Sequence, residues 1–190
     1  YLIMTQFLKA QDSQPFFKPE NFFTGGTVNA SFGNQYTQLG ISPYFGYSFN
    51  KFIDLGISAG INYTSERDYL IIGDKLRQTM YGPGSFIRVF PVKFLYAIGQ
   101  YEFNMMRNKY IPAVGSTLQS EIYKTDAHSF LVGAGYASSR NFEYQKSYYY
   151  FSVMWDIAKA PHSPYKDNLD RSVPIFRAGY HIALFQGNHR

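Results

Sequence analysis

The chain has 190 residues, about one domain, with 45% hydrophobic and 16% charged residues and a net charge of +5. The low charge and the 19% of aromatic residues exclude an ordinary disordered chain, and the absence of cysteine excludes disulfides and cysteine-based sites. No stretch reaches the roughly 18 consecutive apolar residues of a membrane helix, and the modest charge does not predict binding to nucleic acid.

The first 21 residues are predicted to be a leader outside the folded core. Residues 1–11 combine a short apolar stretch with Ala10 before a plausible cleavage point, so they fit either the end of a secretory signal or the extended start of the mature chain. Residues 12–21 contain two prolines and are expected to lead into the first strand. The folded domain is therefore expected to span 22–190.

From residue 22 onward, apolar and polar side chains alternate with a period of two. The clearest segment is 53–64, IDLGISAGINYT, in which Ile, Leu and Tyr alternate with Asp, Ser, Asn and Gly. Because a strand directs alternate side chains to opposite faces, this segment is predicted as a strand with one apolar and one polar face. Together with similar segments it predicts eight strands, at approximately 22–32, 38–49, 53–64, 78–91, 94–106, 122–138, 144–157 and 173–186.

The connections between these strands alternate in length. The short links are 50–52, 91–93 and 139–143, whereas the links 66–77, 107–121 and 158–172 are long and polar; the link at Gly33-Asn34 is also short. Outer-membrane barrels have short periplasmic turns and longer outer loops. The pattern predicts an all-β, eight-stranded antiparallel up-and-down transmembrane β-barrel, with both termini on the short-turn side and the three long links exposed outside the cell.

A soluble barrel of the lipocalin type would place the apolar face inside. The volume of the side chains on each face distinguishes the two arrangements. The polar face is rich in Gly and Ser, whereas the apolar face carries larger groups. An eight-stranded barrel has little interior volume, which favours the small polar face inside. Aromatic residues near strand ends match the two interfacial girdles of a membrane barrel; they are Tyr47, Phe49 and Phe52 at one rim and Tyr63, Tyr81 and Trp155 at the other.

Three segments carry a resemblance to a known family: GYSFNKFIDLGISAGINYTS (46–65), FIRVFPVKFLYAIGQYEF (86–103) and residues 152–184. They resemble the small eight-stranded outer-membrane β-barrel proteins of Bacteroidota over roughly residues 22–186. The resemblance implies location in a bacterial outer membrane, contact with its lipid including lipopolysaccharide, and no single shared activity.

Six ionisable side chains fall on the predicted inner face. Because buried charges must be paired, the set is expected to form a salt-bridge network that plugs the lumen. The functional alternative is a path for protons or ions. The six residues are Asp54, Arg88, Glu102, Asp156, Arg177 and His181.

No catalytic or metal site is predicted. His128 and Ser129 are adjacent and therefore point to opposite faces of their strand, so they cannot readily act as base and nucleophile. Asp126 shares a face with His128, but no serine joins them. The sequence shows neither metal-ligand spacing nor a phosphate-binding loop, so no cofactor is expected.

One loop segment is anomalous, because Tyr69, Leu70, Ile71 and Ile72 are four apolar residues within a polar link. They are expected to fold over the barrel mouth, to extend the third strand as a hairpin, or to contact another outer-membrane protein. The expected function is therefore a structural or accessory subunit of an outer-membrane assembly. The alternatives are a narrow transport or gating barrel for small solutes and, third, a lipid-modifying enzyme.

Overall fold

The computed structural model describes residues 18–33, 35–138, 140, 146–158, 160–166 and 169–186, and it forms one closed sheet of eight strands. Each strand pairs antiparallel with its neighbours in sequence, and the first strand pairs with the last. This confirms the predicted fold class. The strands are β1 Phe22–Gly33, β2 Tyr36–Ser48, β3 Ile53–Arg67, β4 Lys75–Val92, β5 Leu95–Ile111, β6 Glu121–Ala137, β7 Tyr148–Asp156 and β8 Ile175–Ala183.

The two faces of the sheet are arranged as in a membrane barrel. On β3, the apolar residues Ile57 and Ile61 are 64% and 50% exposed, whereas the polar residues Asp54 and Asn62 are buried in the interior. A closed barrel satisfies its backbone hydrogen bonds between its own strands, so it can lie in lipid. Its apolar exterior is stable there because the outer side chains avoid water. Among the described residues, the helical structure is a short 3₁₀ turn, and no helix is long and apolar enough to cross a membrane.

The glycines of the inner face provide room for aromatic rings on the neighbouring strands. Gly25 lies opposite Tyr44 in the register of β1 and β2, and a Cβ atom at Gly25 would lie 2.4 Å from the Tyr44 hydroxyl oxygen. Equivalent cross-strand pairs are Gly46–Phe23, Gly56–Phe86, Gly135–Tyr96 and Gly179–Tyr150. An aromatic ring that covers a cross-strand glycine stabilises a curved sheet. These rings also fill the lumen.

Two hairpins are longer than the sequence predicts. β3 continues to Arg67 and β4 begins at Lys75, so the predicted link 66–77 shrinks to 68–74. β5 and β6 likewise leave a link of 112–120 instead of 107–121. The reason is that strand hydrogen bonds continue above the membrane, where outward residues such as Arg77 and Arg107 are polar while inward residues such as Leu76 and Tyr110 are apolar. The apolar-outside alternation used for the prediction therefore ends there.

Candidate functional site

The short-turn end of the lumen is closed by an ion pair between Asp54 and Arg140. Arg140 donates to both carboxylate oxygens, at 2.5 Å and 2.9 Å, and Ser48 Oγ donates to Oδ1 at 2.7 Å. The guanidinium also lies 3.8 Å from the centre of the Phe90 ring. Asp54 and Arg140 are both buried, so this bidentate pair forms a plug between the polar end and the aromatic middle of the barrel.

Arg88 occupies the middle of the barrel inside a cage of aromatic rings. Its guanidinium carbon lies 4.5 Å from the centre of the Tyr150 ring and 4.6 Å from that of Phe86. Tyr44 and Tyr96 complete the cage at 4.9 Å and 5.8 Å. Such cation–π contacts are worth about 2 kcal/mol or more when desolvated. They hold the charge of Arg88 in place and block the lumen.

His181 lies below this cage and is stacked between two aromatic rings. Its ring centroid is 4.4 Å from that of Tyr148, with an interplanar angle of 13°, and 4.4 Å from that of Phe23. The imidazole is fully buried. Its role in this position is to fill the narrow interior.

A second ion pair, between Arg177 and Glu102, lies above the cage. Arg177 donates to Glu102 Oε1 and to Gln100 Oε1, both at 2.8 Å, and Gln100 donates to Glu102 Oε1 at 2.9 Å. The Tyr165 hydroxyl donates to the other carboxylate oxygen of Glu102. Tyr165 belongs to the link between β7 and β8, so this loop reaches into the barrel and joins the interior ion pair.

The same loop is fastened at the mouth by Asp156, the last residue of β7. The Ser163 hydroxyl donates to Asp156 Oδ2, and the Phe130 N–H donates to Oδ1 at 3.1 Å. Tyr36 on β2 donates its hydroxyl to the carbonyl of Pro164 at 2.9 Å. Ser163, Pro164 and Tyr165 are buried, so the expectation that the whole link 158–172 is exposed is wrong in this part.

The interior charges are paired differently from the expected single network. All six predicted residues lie in the lumen, but Asp54 pairs with Arg140, which lies outside the strands and outside the predicted set. Arg88 is held by aromatic rings, and Asp156 is held by hydroxyl and backbone donors. Only Arg177 and Glu102 form an ion pair within the predicted set among the described residues.

The anomalous loop segment forms the tip of the β3–β4 hairpin. We call residues 69–72 the hairpin tip. Its backbone is held by Asp74, whose carboxylate accepts N–H bonds from Tyr69 at 2.6 Å, Leu70 at 3.0 Å and Ile71 at 3.1 Å. The Tyr110 hydroxyl donates to the same carboxylate at 2.9 Å. The hairpin is longer than predicted, but residues 69–72 form its turn and do not themselves continue β3, which ends at Arg67.

Three of the four side chains of the hairpin tip are exposed although its backbone is fixed, whereas Tyr69 is half-buried and lines the cavity at the mouth. Leu70, Ile71 and Ile72 are 64%, 41% and 91% exposed. Burial of Asp74 opposes its ionisation, but the N–H and hydroxyl donors outweigh that effect and lower the pKa of its carboxyl from the usual 3.8. Asp74 is therefore ionised at neutral pH and keeps the apolar tip in a single conformation.

A polar cavity of about 390 Å³ lies at the long-loop mouth, above the plug. It is bounded by the inner faces of the two long hairpins, including Thr64 and Asn108, and by the β7–β8 link at His162. Its floor is closed by the loop that carries Tyr165. The cavity is large enough to hold water or a small polar solute.

Tyr101 and His128 form a hydrogen-bonded pair on the outward face of β5 and β6, but Ser129, the adjacent hydroxyl, is not on that face. The Tyr101 hydroxyl and His128 Nδ1 are 2.5 Å apart, while Ser129 points to the lumen and accepts a hydrogen bond from Asn104 at 3.1 Å. The described residues contain no group of acids and histidines that could hold a metal ion.

Taken together, the closed sheet, the apolar exterior and the buried interior side chains define a small transmembrane β-barrel. No protein-family model matches the chain, and no curated protein matches it either.

Solved structures show the same architecture. The attachment invasion locus protein Ail of Yersinia pestis, in complex with the heparin analogue sucrose octasulfate, is similar with a TM-score of 0.52 and 12% sequence identity, over 86% of this chain and 99% of that chain. The N-terminal β-barrel domain of Pseudomonas aeruginosa OprF gives a TM-score of 0.46 and 11% identity, over 87% and 98% of the two chains. The likeness to Ail establishes the fold, an eight-stranded barrel of the outer-membrane type.

Proposed function

We propose that the protein is a non-catalytic barrel of a bacterial outer membrane and serves as a structural or accessory subunit of a larger outer-membrane assembly. The observation that carries this proposal is the combination of a plugged lumen with an exposed, rigid apolar tip. Two buried ion pairs, an arginine cage and an inserted loop close the interior. A function at the outer surface is therefore favoured over one in the lumen.

The hairpin tip is well placed for contact with another envelope protein. From Tyr63, at the aromatic rim, β3 continues for four residues to Arg67, which adds about 10 Å of height at about 3.4 Å per residue and a tilt of about 40°. Because the backbone of the tip is already fixed by Asp74, a partner would not have to order it, and this reduces the entropic cost of association. Burying its side chains at about 25 cal/mol per Å² would contribute several kcal/mol.

A second candidate function is the gated passage of a small solute, and the polar cavity at the mouth favours it. Passage would require the β7–β8 link to leave the mouth and Tyr165 to release Glu102. Arg177 and Arg88 would then have to move away from the axis of the barrel.

We expect that changing Leu70, Ile71 and Ile72 together to serine releases a partner that co-purifies with the wild-type protein in mild detergent. The reason is that these side chains supply the apolar contact, while Asp74 still holds the backbone of the tip. The measurement is affinity purification with quantitative mass spectrometry, with heat-modifiable migration on gels to verify that the barrel is folded.

The matched control changes Val114 and Leu118 to serine in the other long hairpin, where both side chains are exposed. This variant should retain the partner. If the tip variant is folded and co-purifies with the same proteins as the wild type, the hairpin tip is not the contact.

A further inference from the structure

Four cations lie side by side on the outward face of β4, β5 and β6. We call Arg77, Arg107, Lys109 and Lys124 the cationic quartet. In the strand register Arg77 is opposite Lys109, and Arg107 is opposite Lys124. All four side chains are exposed, and the ion pairs found in the described part of the chain involve other residues.

This arrangement is electrostatically unfavourable for the barrel alone. Directly opposite residues on antiparallel strands have Cβ atoms about 4.5–5.5 Å apart, and like charges in such pairs destabilise the sheet. Here two like-charged pairs are next to each other. Asp126, an acid on the same face, is opposite Met105 and not opposite a cation. Asp126 is diagonal to Arg107 and can offset one of the four charges. The rest of the quartet's charge is left for anions from outside the chain.

The height of the quartet indicates which anions are available. On β4 the outward apolar residues run from Val89 to Tyr81, and eight residues at about 3.4 Å each, tilted by about 40°, rise about 21 Å. The apolar band of an outer-membrane barrel is about 25 Å tall. Arg107 is opposite Thr79, two residues beyond Tyr81, so the quartet begins where the hydrocarbon ends and the lipid headgroups lie.

A cleft on the same surface has the two-part character of a lipid site. It has a volume of about 720 Å³ and lies across β4, β5 and β6 on the outward side. Tyr81 and Met105 line its membrane side, and the cations Arg107 and Lys124 line it together with one acid, Asp126. An apolar end joined to a cationic end fits an amphiphile with acyl chains and a phosphorylated headgroup.

We propose that the cationic quartet binds the phosphate groups of a phosphorylated glycolipid in the outer leaflet, whose acyl chains pack on Tyr81 and Met105. A phosphate between Arg107 and Lys124 would convert their repulsion into two charge-assisted contacts, and the guanidinium can bind phosphate through two parallel N–H donors. The proposal rests on the outer-membrane location proposed above and adds a ligand class and a site to it.

The test is a binding measurement on the purified full chain in detergent. The probes are a bisphosphorylated disaccharide glycolipid (lipid A), the same glycolipid without phosphates, and inorganic phosphate, with bound lipid counted by native mass spectrometry. We expect lipid A to bind the wild type about tenfold more tightly than the phosphate-free glycolipid. Arg107→Gln combined with Lys124→Gln should weaken lipid A binding by about tenfold or more.

Two control variants separate this site from general charge effects. Lys51→Gln with Lys93→Gln removes the same charge at the short-turn side and should leave lipid A binding unchanged. Arg107→Lys with Lys124→Arg keeps the charges and should retain most of the affinity. In glycolipid-free detergent the double glutamine variant should be as stable to heat as the wild type or more stable, because one like-charged pair has been relieved.

Several results would overturn the proposal. The proposal is wrong if the double glutamine variant binds lipid A as tightly as the wild type does, or if the wild type binds the phosphate-free glycolipid as tightly as lipid A. It is also wrong if inorganic phosphate binds as tightly as lipid A, or if the double glutamine variant without lipid is less stable to heat than the wild type. The lipid-binding measurement uses purified protein without any protein partner. A negative result would therefore reject the lipid site but would not bear on the proposed accessory function, which the serine variant of the hairpin tip tests separately.

Discussion

Replacing Glu102 with alanine is expected to destabilise the folded barrel by about 3–5 kcal/mol, because removal of one partner of a buried ion pair leaves the other charge without compensation. Arg177 is buried and would lose its carboxylate. Tyr165 would lose the acceptor of its hydroxyl as well, so the inserted loop would lose an anchor. The measurement is equilibrium unfolding by denaturant in detergent, followed by tryptophan fluorescence from Trp155 and by gel migration.

A double-mutant cycle distinguishes the ion pair from simple loss of volume. Glu102→Leu combined with Arg177→Leu removes both charges, and this variant should be less destabilised than the sum of its two single variants. Glu121→Ala, which removes an exposed acid at the start of β6, should change stability by less than about 0.5 kcal/mol. A Glu102→Ala variant as stable as the wild type would show that the interior is hydrated and that Arg177 is solvated.

Gly82→Ala should destabilise the barrel by about 3 kcal/mol, the upper end of the usual cost of overpacking, or prevent folding. A Cβ atom at Gly82 would lie 1.8 Å from the Phe103 carbonyl oxygen. This atom belongs to the backbone of β5, so the strand itself would have to move, although the register of β4 and β5 is the same at Tyr81 and at Gly84.

The matched control is Gly26→Ala on β1, which adds the same methyl group where no atom lies within 4 Å. It should leave the unfolding midpoint nearly unchanged, within about 0.5 kcal/mol. Equal stability of the two variants in denaturant would mean that β4 and β5 do not approach each other at Gly82 as the structure shows.

The strands and the orientation of their faces were predictable because the membrane imposes a period of two on the exterior. Ile57 and Ile61 on the outside and Asp54 and Asn62 on the inside follow directly from that period. The extension of β3 to Arg67 was not predictable, since Ser65, Glu66 and Arg67 are all polar and show no alternation of apolar and polar residues.

The pairing of the interior charges could not be predicted from the sequence, for a different reason. Arg140 lies outside the strands, so no periodicity assigns its side chain to the lumen, although it is the partner of Asp54. Tyr165 likewise enters the barrel from a polar link. The aromatic cage of Arg88 depends on rings from four strands, and only the cross-strand register brings them together.

The cationic quartet shows the same dependence on register. Its four residues are separated by up to 47 positions in the sequence, from Arg77 to Lys124, so no local run of charge marks them. The pairing of β5 with β4 and β6 places them next to one another. The four cations are therefore neighbours in the sheet although they are distant in the sequence.

Single-channel recording in planar lipid bilayers tests the central claim, that the lumen is plugged, most directly. The purified wild-type protein should show no steady conductance, because the ion pairs Asp54–Arg140 and Glu102–Arg177 and the caged Arg88 block the barrel in series. Reproducible wild-type channels that change when Arg88 or Arg177 is replaced by glutamine would contradict the plugged lumen and establish the protein as a conducting pore.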